Sequence, residues 1–302
     1  MRALAHRFRL AIATPAGGAG FGICLFIGLL AVFGPLLAPH DPDAVQLSQR
    51  LAPPSPAHWF GTDDLGRDLF SRVLAGAPRT VLAAGAVVAV SVVVGLLVGV
   101  LAGFLGGLVD QVLMRITDIF VGYPALLLAV AITAALGTGL VQATIALAVV
   151  WWAGYARLMR GQAAAVRGLP FVEAARTTGA SRWAIMTRHV LPNVAGPLLV
   201  KATVDLALVV ESIAALGFIG LGAQPPTPEW GLMIAQSRQY AIEAWWYPTL
   251  PGLSLLLIVV GCNLFGDALA RAFATNPRSV VSGWRRPRRS AATPLRSSGG
   301  QA

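Results

Sequence analysis

A chain of 302 residues that is 56% hydrophobic and only 12% charged, with a mean hydropathy of +0.70, is too apolar to fold as a soluble domain. Its expected solvent is a bilayer, and its expected class is an all-α polytopic membrane protein. The surplus of 23 basic over 13 acidic residues, +10, falls almost wholly on one side of the predicted spans, which is the positive-inside asymmetry and not a nucleic-acid footprint.

Six apolar runs, near 21–38, 81–105, 116–136, 139–159, 193–215 and 250–270, approach the ~20 residues that a spanning helix needs. The first follows Arg2, Arg7 and Arg9 and ends in LLAPH, whose small residues resemble a signal-peptide end. Its length, and the five spans that cleavage would leave, favour an uncleaved first span. The segment 39–78 opens on Pro39, Pro42, Pro53, Pro54 and Pro56, holds five aspartates against Arg50, Arg67 and Arg72, and reads as external. Residues 1–76 are therefore divided, as tail, first span and external loop, from a block of five spans over 77–270. Residues 271–302, with seven arginines and no acid, read as a flexible cytoplasmic tail facing lipid. Cys24 and Cys262 fall inside spans and behave as small apolar residues.

Within the external segment, WFGTDDLGRDLFSRVLAGAPRT (Trp59–Thr80) mixes Asp, Arg and Gly densely. A knot of mutual ion pairs and an entrance that touches substrate, through Asp63, Arg67 and Asp68, are both open readings. Asp63, Asp64 and Asp68 lack calcium-loop spacing, so no metal is expected there. At the third span, GGLVDQVLMRITDIFVGYPALLL (Gly106–Leu128) places Arg115 three residues before Asp118, which suggests a local pair. The 157–188 loop carries six arginines against Glu173 alone. Inside it Pro170 suits a first helical turn, Gly179 a left-handed helix end and Ser181 an N-cap, giving a compact helical elbow. In span five, Lys201 and Asp205 share one helical face at i, i+4; with Glu211 they are candidates for the translocation pathway, and an intrahelical ion pair is the alternative. Beyond it, the Pro- and Gly-rich run ALGFIGLGAQPPTPEWGLMI (Ala215–Ile234) breaks the span, and Trp230, Trp245 and Trp246 suit a membrane interface.

Glu173, Ala174, Ala175, Gly179, Leu191 and Pro192 fall at the spacings of the EAA loop, with His189 at a usually apolar position. Together with the GTDxxGRDxxSR match from Gly61 to Arg72, this chain resembles the C-type permease subunits of the peptide/nickel family of ABC importers. The family's terminal pattern is only partly kept, since Ala270 and Arg271 stand where Arg and Asp are usual. The resemblance implies a five-helix permease core plus one N-terminal helix, six transmembrane helices in all, in the cytoplasmic (inner) membrane, and the arginine asymmetry puts both termini and this loop on the cytoplasmic side. It implies that the six EAA-loop residues receive the stroke of separate cytoplasmic ATPase subunits. The other implied partners are a second, B-type permease as heterodimer and an external solute-binding protein that delivers a di- or oligopeptide. Nickel and glutathione stay open as substrates. This chain is expected to bind no cofactor, ATP and Mg being used by the partner subunits, since it has no GxxxxGK[ST] loop and no HExxH, GxSxG or CxxC motif. A polytopic membrane enzyme or channel is the competing class, favoured only by the intramembrane charges.

Overall fold

The computed structural model describes residues 2–274. Most of the basic tail, 275–302, therefore lies outside the described residues. Among those described there are eleven α-helices and no strand. In order they are α1 (Arg2–Ile12), α2 (Pro15–Phe33), α3 (Leu69–Leu105), α4 (Gly107–Val121), α5 (Ala125–Leu136), α6 (Leu140–Arg167), α7 (Pro170–Thr177), α8 (Arg182–Ile185), α9 (Leu191–Phe218), α10 (Trp230–Ser237) and α11 (Trp246–Phe273).

By length and apolarity, three helices qualify as spans: α2 with its following turn, α3 and α11. The expected third span, 116–136, is not one helix. It is divided between α4 and α5, which meet at 85°. Gly122 ends α4 and Pro124 stands before α5, where proline disfavours the helical conformation of the residue ahead of it and donates no backbone hydrogen bond. Counted as one broken span, the pair brings the total to four. The α6 and α9 helices are 28 residues long, or about 42 Å, enough to cross a hydrocarbon core of about 30 Å, but each carries three charged side chains.

The longest helix, α3, has 37 residues, or about 55 Å, more than a hydrocarbon core of about 30 Å requires. It begins at Leu69, so the division expected at residue 76 falls inside it. Packing of α3 on α6 forms the centre of the bundle and rests on Gly95, Gly99 and Gly103, one per helical turn on one face. A Cβ at Gly95 would strike Tyr155 Cβ and lie 2.7 Å from Trp152 O. At Gly99 it would strike Ala156 O and lie 2.7 Å from Met159 Cβ, and at Gly103 it would strike Arg160 O. Lipid tails are as apolar as leucine, so helices in a bilayer gain little by hiding apolar surface from each other; close backbone approach through small residues supplies the dispersion contacts instead. The opposite face, with Leu82, Val93 and Leu97 more than half exposed, suits contact with lipid.

Two ends follow from this packing. At one end the C-termini of α3 and α6, the α7–α8 segment and the start of α9 share a core of Phe104, Val166, Val172, Ile185 and Val190. The same end holds α1, whose Arg7 donates to Phe273 O at the close of α11 (2.9 Å), while Gly196 of α9 lies against the Phe273 ring. The other end holds the 39–68 connection and the loop around α10.

Candidate functional site

The elbow is built from local signals. Pro170 is the first residue of α7, where a missing N–H costs nothing. The helix closes in a Schellman motif: Ala180 N–H donates to Ala175 O (3.0 Å) and Gly179 N–H to Arg176 O (3.0 Å), with Gly179 at φ +83°. Ser181 then caps α8, its hydroxyl accepting from Ala184 N–H at 3.2 Å. A single π-helical turn, Met186–Val190, joins α8 to Leu191 and Pro192 of α9. Val172, Ile185 and Val190 anchor this unit to the bundle, while Glu173 and Ala174 face outward and Ala175 is half-buried. Glu173 forms no ion pair among the described residues, although Arg176 lies in the same helix. Trp183 of α8, which the sequence did not single out, is 68% exposed in the same elbow.

At the far end, Asp63, Arg67 and Asp68 do not face an entrance; each is at most 3% exposed. Asp63 Oδ1 accepts from the N–H groups of Leu65 and Arg67 (2.9 Å each), and Oδ2 from Arg67 Nε (2.6 Å), with Arg72 Nε at 3.5 Å. Arg72 also reaches Pro42 O (2.8 Å), Asp43 Oδ1 (3.1 Å) and Pro226 O (3.1 Å), tying the 39–68 connection, α3 and the loop before α10 together. Gly66, at φ +76°, makes the turn that lets the Asp63 carbonyl accept Gly66 N–H. The arrangement is a buried scaffold, in which loss of one charged partner costs about 3–5 kcal/mol. Sequence reasoning did not foresee that His40 and His58 join Asp68 here, because 18 and 10 residues separate them along an irregular segment.

Trp230 is likewise not an interface residue. It is fully buried, donating from Nε1 to Val73 O (2.9 Å), and a Cβ at Gly76 would lie 3.0 Å from its ring. Trp246 is buried and donates to Thr62 O, whereas Trp245 is 58% exposed. Glu229, unremarked in the sequence, caps α10 by accepting from Gly231 and Leu232 N–H and takes the Thr80 hydroxyl as well. Burial holds its carboxyl above the ordinary value, against these three hydrogen bonds, which pull it down.

Within the bundle, Asp118 does not pair with Arg115. It reaches Arg157 of α6 at 2.7 Å, as Asp110 reaches Arg160 through two hydrogen bonds of 2.6 and 3.0 Å. Both acids of α4 thus cross to the neighbouring helix, whose register sets two arginines opposite them, and Arg115 is left exposed. In α9, Lys201 Nζ lies 3.0 Å from Asp205 Oδ2 and 4.8 Å from the Tyr155 ring centre. The pair borders a cavity of about 250 Å³ lined by Phe120, Tyr123, Trp151 and Gly154. Glu211 is exposed and is not brought to the pair. Lys201→Ala would leave Asp205, 4% exposed, without its cation, and membrane yield is expected to fall severalfold; the double change Lys201→Leu/Asp205→Leu is expected to restore it. Quantitative blotting of the membrane fraction checks this, and normal yield in Lys201→Ala with altered substrate preference would contradict it.

Comparison with known proteins adds to this geometry. Residues 95–279 match the model of the binding-protein-dependent transport system inner membrane component, and residues 14–54 that of the N-terminal TM domain of oligopeptide transport permease C. The chain is 50% identical over 247 residues to the "Probable D,D-dipeptide transport system permease protein DdpC" of Escherichia coli (strain K12), covering 82% of this chain and 83% of that one. It is 43% identical over 262 residues to the di/tripeptide transport system permease protein DppC of Pseudomonas aeruginosa (strain UCBPP-PA14), covering 84% and 86%. Among solved structures, an inward-facing form of the MetNI methionine ABC transporter superposes with a TM-score of 0.54 at 24% identity, over 67% of this chain and 95% of that chain, a likeness of fold. The α7–α8 elbow, the helical bundle and these matches lead to one assignment: the chain belongs to the family of binding-protein-dependent transport system inner membrane components, the permease subunits of ABC importers.

Proposed function

We propose that this chain is the C-type permease of an importer of di- or oligopeptides, and that the elbow from Glu173 to Pro192 receives the stroke of cytoplasmic ATPase subunits. The observation that carries the coupling part is the elbow itself. It is a compact, capped, outward-facing unit whose buried face is continuous with α3, α6 and α9. A force applied at Ala174 or Trp183 would thus be delivered to three long helices, which rock the bundle between inward-open and outward-open arrangements. Partners of this reading are a B-type permease, ATPase subunits that use ATP and Mg, and an external solute-binding protein. The substrate part rests on the peptide-transport names of the relatives.

In this reading the elbow and both termini face the cytoplasm, and the end with the Asp63 knot and α10 faces outward, in keeping with the arginine asymmetry. Asp63 and Trp230 are buried, so labelling must use exposed positions. With Cys24 and Cys262 changed to alanine, Ile242→Cys is expected to react with an impermeant maleimide in intact cells, and Trp183→Cys only after the membrane is opened. Reaction of Trp183→Cys in intact cells would overturn the orientation. For the substrate, deletion of the gene is expected to abolish uptake of a labelled dipeptide or tripeptide by this system and to leave glutathione and nickel uptake unchanged. Loss of either of those with peptide uptake intact would refute the peptide assignment.

A further inference from the structure

We propose that His40, His58 and Asp68 form a binding site for a divalent transition-metal ion of the zinc class, with water completing the coordination. One donor atom from each of the three residues lies within 4.8 Å of the other two. His58 Nδ1 is 2.9 Å from Asp68 Oδ1, His40 Nδ1 is 3.7 Å from Asp68 Oδ2, and the two imidazole rings are 5.0 Å apart. A tetrahedral ion with bonds of about 2.0–2.2 Å to nitrogen and oxygen needs donors roughly 3.3 Å apart, so small side-chain rotations bring the three into place. Two imidazoles and a carboxylate select zinc and its neighbours over calcium or magnesium, which prefer oxygen donors.

The charge balance makes the same point independently. Asp63 and Asp68 are both buried at the same knot, but Asp63 has the guanidinium groups of Arg67 and Arg72 within 4.0 Å. Asp68 has no lysine or arginine within that distance among the described residues; its neighbours of opposite potential charge are the two histidines. Its Oδ2 caps α3 by accepting from Ser71 N–H (2.8 Å) and Ser71 Oγ (2.7 Å), which orients the carboxylate and leaves Oδ1 directed at His58. A buried carboxylate calls for a cation beside it. His40, with 42% of its side chain exposed, opens the site to solvent, while His58 and Asp68 form its protected floor. A bound ion would staple three segments of the far end: the chain just after α2, the loop at residue 58 and the start of α3.

The test uses the full-length chain in nanodiscs, carrying a tag without histidine, with His6, His189, Cys24 and Cys262 replaced by alanine so that His40 and His58 are the only histidines left. Isothermal titration with Zn(II) alone is expected to show one ion per chain, and Zn(II) to raise the melting temperature. His40→Ala, whose lost side chain is half outside the protein, is expected to keep the fold and weaken binding at least about tenfold. His40→Cys restores a donor and is expected to recover zinc binding and, with Co(II), to add a sulfur-to-cobalt absorption absent from the parent. Binding in His40→Ala equal to that of the parent would overturn the proposal. So would a melting temperature that responds to pH and not to Zn(II), which would make the cluster a proton-held ion pair.

Discussion

Gly99→Ile is expected to remove the subunit from the membrane almost entirely, whereas Gly22→Ile, an equally large change on α2, is expected to be nearly silent. The difference is steric and local. A Cβ at Gly99 would press on Ala156 O and lie 2.7 Å from Met159 Cβ, so α3 and α6 would have to separate. A Cβ at Gly22 meets nothing within 4 Å. Overpacking a tight interface costs about 1–3 kcal/mol when side chains can yield, and here a carbonyl of the neighbouring helix stands in the way, which places the cost at about 3 kcal/mol or more. A loss of that size lowers abundance severalfold or worse. Helix propensity works the other way, since isoleucine is a better helix former than glycine, but that gain of about 0.5 kcal/mol is too small to offset the clash. Gly99→Ala should fall between the two. Membrane abundance and the melting temperature of the detergent-extracted subunit measure the effect, and equal values for Gly99→Ile and Gly22→Ile would show that the glycine face does not set the α3–α6 distance.

The second large effect concerns function with the fold intact. Glu173→Lys and Gly179→Val are each expected to abolish uptake, and with it the ATPase activity stimulated by the binding protein, at normal membrane abundance. Glu173 is exposed, unpaired among the described residues and the only acid among the arginines of this loop, so reversing its charge changes what a partner meets without disturbing a buried contact. Gly179 has φ +83° and open space around its Cβ position, so valine there introduces no clash. Its cost is the left-handed backbone alone, about 1–2 kcal/mol for a residue with a side chain and more for a β-branched one. Either the Schellman closure relaxes or α8 swings, and the elbow no longer presents one shape. Gly179→Ala should be milder than Gly179→Val. Wild-type uptake in both severe variants would refute the coupling role, and loss of the protein itself would reduce the elbow to a folding element.

The elbow was legible because its signals are local. Pro170, Gly179 and Ser181 each act within a few residues, through a missing N–H, an allowed φ and a capping hydroxyl, and none needs a distant partner. The break between α4 and α5 was announced in the same way by Gly122 and Pro124, but a hydropathy window averages over a bend and read through it. The glycines of α3 were visible as Gly-x-x-x-Gly-x-x-x-Gly, a spacing that places small residues on one helical face. That signal went unused because an apolar run was read for its length and not for its face.

By itself the sequence determined the membrane class, the helical elbow and the family, since composition, local capping signals and motif spacing are properties of the chain in order. Only the tertiary structure decided which charges meet. Asp118 was expected to take Arg115 from its own helix and takes Arg157 from α6; Trp230 was expected at an interface and fills the core beneath α3; Asp63, Arg67 and Asp68 were open to an entrance role and are buried as a scaffold. Each of these outcomes depends on the distance between residues that are 4 to 157 positions apart, and a charge in an apolar medium takes whichever partner the packing brings within reach. The meeting of His40, His58 and Asp68 is of the same kind. No local rule joins them, and a glycine turn at residue 66, the Asp68 cap on Ser71 and the arginine at 72 bring the three donors to one point.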